Sequence, residues 1–298
     1  NGKPIKEEGY DNILFGREAV RVIDEHDGKK PLFLYLAFTA PHTPFQAPKE
    51  FIERYSNIAD ESRRTYAAMI SVADDEIGKV VAALEKRGMR DNTLIVSQSD
   101  NGGVVNALFA GESAVKGKLP ADNGPFRDGK GTTYEGGTRV AALLNWPGKI
   151  KPGVVDGMVH VADMLPTLAT VAGTTPAKSK PLDGLDMWPS IADGKPSPRT
   201  EVVYNIDPTG GAVRQGDWKL VWTAMMPPKI ELFDISKDPS ETTNLADQNP
   251  DIVKKLQARM VDLASQMSPP LFLMEAIRLT THSETALPDP SQMFNVAD

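Results

Sequence analysis

Cysteine is absent from all 298 residues. That excludes disulfide scaffolding, thiolate zinc sites and a cysteine nucleophile encoded in these residues. It leaves the compartment open, because a cysteine-free chain suits reducing and oxidising surroundings alike. Long apolar runs are missing as well. None approaches the roughly 20 residues needed to span a bilayer, so no membrane-crossing helix is expected. The opening residues NGKPIKEE have no apolar centre and are not a secretory signal; either the chain is cytosolic or the sequence starts inside a longer protein. Blocks of Lys and Arg are lacking too. With 33 basic against 40 acidic residues the net charge is −7, which argues against general nucleic-acid or membrane-surface binding but leaves room for a local basic pocket. No internal repeat is present.

What remains is ordinary globular material: 40% apolar and 24% charged residues, long enough for one large α/β domain or one with a small appendage. Residues 11–26 place Ile13, Leu14, Ala19, Val20, Val22 and Ile23 at helical spacing before Gly28. Residues 62–87 carry a stripe from Tyr66 to Leu84 that predicts a long helix stopped by Gly88. A third helix is expected over 161–172, with Pro166 tolerated in its first turn. The unbroken runs at 31–38 (PLFLYLAF), 93–96 (TLIV) and 139–144 (RVAALL) read as strands buried on both faces. Strands alternating with helices predict a parallel α/β sheet. After the linker-like KPSPRT at 195–200, short runs at 201–206, 211–213, 218–222 and 230–233 read as an antiparallel meander, followed by a helix over about 249–266. The expected divisions are 1–199, 200–267 and a tail of unassigned structure at 268–298.

Three segments combine strand ends with chemically capable residues. In TAPHTP, His42 follows the first run, where open α/β sheets bind ligands, and two prolines stiffen its loop; taken in isolation, the motif favours a loop histidine without a task. In SQSDNGG, Asp100 and Asn101 offer oxygen ligands for a hard cation such as Ca²⁺ or Mg²⁺, although Asp-Asn-Gly is also a common turn. In GKGTTYEGGTR, Lys130 stands between glycines as a point charge for a tetrahedral oxyanion; the alternative is a solvated loop lysine. Residues 124–131 approach a phosphate-binding loop. Gly131 replaces the required Ser or Thr, however, and no buried strand precedes the segment, so the nucleotide reading fails. Asp74-Asp75 reads as a solvated helix face, and His160 as a helix cap or packing residue.

Taken in order, PLFLYLAFTAPHTPFQAP, ISVADDEIGKVVAALEKRG, TLIVSQSDNGG and FRDGKGTTYEGGTRVAALLNWPG resemble the C-terminal two-thirds of a formylglycine-dependent sulfatase of the alkaline phosphatase superfamily. The likeness is to the arylsulfatase and N-acetylgalactosamine sulfatase branch. MVHVADMLPTL, AVRQGDWKLVW and ELFDISKDPSETTNLA extend it to about residue 266. The resemblance implies an alkaline-phosphatase-like, mostly parallel sheet flanked by helices, incomplete here, with a small C-terminal antiparallel subdomain and its helix.

It also implies that Asp100 and Asn101 ligate Ca²⁺, that Lys130 binds sulfate, and that His42 contacts the substrate and protonates the leaving oxygen. The substrate class is a sulfated small molecule or carbohydrate, and the setting periplasmic, secreted or lysosomal. The family's formylglycine arises from Cys or Ser in C/S-x-P-x-R. The nearest string here, Lys195-Pro196-Ser197-Pro198-Arg199, has lysine in that place, and the family's N-terminal Asp-Asp calcium ligands have no match. The expectation is therefore a sulfatase whose nucleophile lies on a missing segment or a companion chain. These residues alone would be inactive and would hold only part of one Ca²⁺ site. A phosphonate monoester or phosphodiester hydrolase of the same superfamily, or a non-catalytic binding subunit, are the alternatives. Residues 104–128 and 268–298 are the expected specificity loops.

Overall fold

The computed structural model describes residues 4–110, 118–175, 180–207, 209–224 and 227–267. The chain divides into two compact units, Asn1–Arg199 and Thr200–Asp298.

In the first unit, α1 (Asp11–Glu25), α2 (Lys49–Glu53) and α3 (Glu61–Lys86) form a helical layer. Asp60 caps α3 by accepting the Arg63 N–H at 2.6 Å, and Gly88, at φ +63°, follows its end. The apolar stripe forecast for α3 packs against α1 through Ile23, Ala83 and Leu84, with Val20, Leu32 and Val80 around them. Phe51, Ala68 and Val72 join α2 to the other end of α3 beside Tyr10 and Ile13. The helices approach closely at Gly16, where a Cβ would lie 2.2 Å from the Glu76 carboxylate. That carboxylate is buried and receives Lys79 Nζ at 2.5 Å. Asp75, by contrast, faces outward to Arg54 at 2.9 Å, and Asp74 is exposed, so the Asp74-Asp75 pair is a surface feature.

Strand β1 (Ile95–Gln98) and strand β2 (Ala142–Asn145) pair antiparallel, in register from Ile95↔Asn145 to Gln98↔Ala142. Two sequence expectations are corrected here. The forecast parallel sheet is not what joins these strands: an unbroken apolar run reports a demand for burial and carries no information on the direction of the partner strand. Residues 31–38 form no strand. Phe33 and Tyr35 are 78% and 82% exposed, because a strand persists only where its backbone groups find a neighbouring edge, and no strand among the described residues lies alongside. Between β1 and β2 comes the short α4 (Glu135–Thr138).

A 3-10 turn (Val161–Asp163) leads into α5 (Met164–Val171), which contains Pro166, and α6 (Trp188–Asp193) follows. His160 is a cap. Its Nδ1 accepts the Ala162 N–H at 3.1 Å, while Asp163 accepts the His160 N–H at 2.8 Å. Asp163 is fully buried and also takes the Leu185 N–H at 2.7 Å and Arg199 Nε at 2.8 Å.

The second unit is a four-stranded antiparallel meander: β3 (Glu201–Asp207), β4 (Gly210–Gln215), β5 (Trp218–Thr223) and β6 (Lys229–Asp234), ordered as in sequence. Register places Val203, Val213, Leu220 and Leu232 in one cross-strand row. Leu256 and Met260, one turn apart on α7 (Pro250–Ser265), close over that row. Residues 268–298, forecast as a tail, lie outside the described residues.

Candidate active site

The His42 loop, residues 39–46, is pinned along its length. At its start, the buried Asn12 of α1 accepts the N–H groups of Thr39 and Ala40 at 3.0 and 3.2 Å and donates to Thr39 Oγ1 at 2.9 Å. At its end the Tyr10 hydroxyl donates to the Gln46 carbonyl at 2.9 Å. In the middle, Thr43 Oγ1 donates to the Ala110 carbonyl. His42 itself is exposed; its N–H donates to Thr39 O at 2.8 Å and its Nδ1 lies 2.8 Å from Thr43 O. A carbonyl partner requires a proton on Nδ1, which leaves Nε2 as the ring's outward-facing nitrogen.

Asp100 and Asn101 sit immediately after β1. Asp100 Oδ1 accepts the Asn101 N–H at 2.9 Å, and the Asn101 side-chain nitrogen donates to Gly102 O at 2.9 Å. These bonds leave the second Asp100 oxygen and the Asn101 amide oxygen for another partner. The Lys130 loop packs directly on this segment. Lys130 N–H donates to Gly103 O at 3.2 Å, and Gly102 N–H to Gly137 O at 2.9 Å. Asn123 reinforces the join: its amide accepts the Gly103 N–H at 2.8 Å and donates to Gly103 O at 2.9 Å and Asp128 O at 2.8 Å. Two aromatic contacts brace the lysine loop, with Arg127 over the Tyr134 ring at 3.9 Å and Arg139 over the Phe126 ring at 4.8 Å. Half-buried Lys130 has no ion-pair partner among the described residues.

Thus the structure stitches the Asp100–Asn101 and Lys130 segments together backbone to backbone. The His42 loop meets the same region at one remove: it bonds to Ala110, and the neighbouring Phe109 ring covers Gly131, where a Cβ would come within 2.3 Å. No hydrogen bond or ion pair among the described residues joins the four side chains themselves. The KPSPR string is committed to structure: Ser197 Oγ donates to Met158 O at 2.6 Å and Arg199 holds Asp163. The sequence reading missed Asn12, Asn123 and Tyr10, whose work is done by tertiary contacts. The only signal was a pair of carboxamides placed just before or between candidate segments.

Comparison with known proteins settles the lineage. Residues 2–174 match the family described as Sulfatase, and 126–266 that described as N-sulphoglucosamine sulphohydrolase, C-terminal. The chain belongs to the sulfatase family. It is 32% identical to arylsulfatase J of Mus musculus over 84% of this chain and 48% of that protein. To N-acetylgalactosamine-6-sulfatase of Mus musculus it is 33% identical, over 70% and 38%. Among solved structures, Ps i-CgsB in complex with k-i-k-neocarrahexaose superposes with a TM-score of 0.81 at 32% identity, over 95% of this chain and 62% of that one. The fold is accordingly the α/β fold of sulfatases, with the antiparallel meander and α7 as its C-terminal subdomain. This sulfatase chain spans about half the length of the first curated relatives it matches. No helix of the described residues is long and apolar enough to cross a membrane.

Proposed function

We propose that the full-length protein containing these residues hydrolyses sulfate monoesters, R–O–SO₃⁻ + H₂O → R–OH + HSO₄⁻, with a sulfated carbohydrate or aryl sulfate as substrate. The observation that supports the reading is the backbone join of the Lys130 loop to Gly102 and Gly103, the two residues that follow Asp100 and Asn101 after β1. Sulfate ester cleavage develops negative charge on the leaving oxygen, and a lysine ammonium held in place stabilises it without reorganisation. Protonated His42, its Nδ1–H engaged by Thr43 O, would present Nε2–H to that oxygen. As the S–O bond breaks, its electron pair stays on oxygen and takes the proton.

The free oxygens of Asp100 and Asn101 are hard donors that fit Ca²⁺ as two of its six to eight ligands. No cluster of three His, Asp or Glu among the described residues completes the sphere. When bound, such an ion supplies Lewis-acid stabilisation of the sulfuryl oxygens. The residues present do not fit the formylglycine nucleophile: no cysteine occurs and the KPSPR residues are engaged elsewhere. That group belongs to sequence outside these 298 residues, on the same polypeptide or a companion chain. The carbohydrate complex of the 32% identical relative supports a sugar sulfate as substrate.

The test is to co-express the full-length protein with a formylglycine-generating enzyme and assay nitrocatechol sulfate, sugar sulfates, and matching phosphonate and phosphodiester substrates. Sulfate release is expected, with Lys130→Ala lowering kcat/KM by about 10²-fold or more. Absence of turnover on every sulfate ester, or faster turnover of the phosphorus esters, overturns the reading.

A further inference from the structure

The reading of His42 as proton donor leaves open what aims an exposed imidazole on a loop. Three consecutive residues at the start of α1 answer to that loop. Tyr10 bonds its far end at Gln46. Asp11 Oδ2 accepts the Thr39 hydroxyl proton at 2.5 Å, and the same hydroxyl accepts from Asn12 Nδ2 at 2.9 Å. Asn12 Oδ1 takes the Thr39 and Ala40 N–H groups. Thr39 O in turn accepts the His42 N–H at 2.8 Å. Asn12 is 1% exposed, so each of its polar atoms needs a protein partner, and most of those partners are the two residues that lead into Pro41-His42.

We infer that Asn12, with Asp11 and Thr39, is a positioning residue that sets the direction of the His42 ring, so that its contribution falls on protonation of the leaving group. The inference rests on the proton-donor reading of His42 above. A helix merely buttressing a loop would affect all substrates alike. A device that aims a proton donor matters most where the departing oxygen is a poor leaving group. An alkoxide from an alkyl or sugar sulfate needs the proton; a nitrocatecholate hardly does.

The experiment measures kcat/KM of the full-length, formylglycine-bearing protein on nitrocatechol sulfate and on an alkyl sulfate, and takes the aryl-to-alkyl ratio. His42→Ala should raise the ratio by about 10²-fold. Asn12→Ala should raise it by about tenfold, through loss on the alkyl ester. Thr39→Val, which removes the hydroxyl that joins Asp11 and Asn12 to the loop, should shift it the same way, and Thr39→Ser should restore the parent ratio. If Asn12→Ala does not fold, Thr39→Val against Thr39→Ser decides in its place. A raised ratio in the deciding variant supports the inference. An unchanged ratio there, with His42→Ala still raising it, overturns the positioning role alone. An unchanged ratio in His42→Ala overturns the proton-donor reading and the inference with it.

Discussion

A methyl group on Gly102 would stand 1.7 Å from the carbonyl oxygen of Gly136, and one on Gly136 would lie 2.3 Å from the carbonyls of Arg127 and Asp128. Neither neighbour is a flexible side-chain end; each is backbone, so a larger residue separates the two loops instead of nudging a rotamer. Gly102→Ala is therefore expected to leave the helical layer of the first unit folded while pushing the Lys130 loop away from the Gly102–Gly103 segment. A misplacement of about 1 Å at such a site costs on the order of 10² in rate. Sulfate-release kinetics beside circular dichroism on the full-length protein check this: native spectra with near-parental kcat/KM would contradict the packing argument. The glycines of DNGG were visible as part of a turn, and those of EGGT only as part of the Lys130 segment. Their mutual approach involves residues more than thirty positions apart, which no local pattern encodes.

Around the 3-10 turn and α5, the sequence reading of His160 as a cap holds, with a consequence for pH. Burial, helped by the nearby Arg199 charge, holds the His160 imidazole below its ordinary value. Its Nδ1 accepts the Ala162 N–H, so protonation there destroys the cap. For Asp163, burial pushes the carboxyl up, but the Arg199 hydrogen bonds and the backbone N–H groups of Leu185 and His160 outweigh it, and the net direction is down. Both groups thus bind protons more readily unfolded than folded, and stability rises with pH across each window. Acidification should lower the thermal midpoint in two stages. The first begins as pH falls below about 6.5, where an unfolded histidine charges, and the second below about 4, where an unfolded aspartate does. His160→Asn, which retains a capping oxygen, should erase the first stage and spare the second. Melting curves against pH in both proteins test it. Asp163→Ala removes the buried carboxylate that Arg199 and two backbone donors bind, and a loss of about 3–5 kcal/mol is expected.

At the level of the molecule, the second unit carries a core of its own. Thr200–Asp298 has its own sheet, helix and core row from Val213 to Met260, and a buried ion pair: Lys219 and Glu241, both fully buried, meet at 2.8 Å, with the ammonium over the Tyr204 ring at 4.5 Å. A fragment of residues 200–267 should fold with a single cooperative thermal transition, and Lys219→Met in it should cost about 3–5 kcal/mol by removing the cation beside a buried carboxylate. A broad, non-cooperative melt of the parent fragment would refute this independence. In Asn1–Arg199, by contrast, Phe33, Tyr35 and Leu143 are exposed, at 78%, 82% and 71%.

Helices α1, α3, α5 and α7 and the meander were legible in the linear string. Each depends on neighbours within a few positions: the 3.6-residue stripe of α3, and the short apolar runs of β3 to β6 set between turn residues. Strand direction, the failure of residues 31–38 to form a strand, and the roles of Asn12 and Asn123 were decided only by tertiary structure. A backbone N–H or a carboxamide acquires its meaning from whichever distant group folding brings to it.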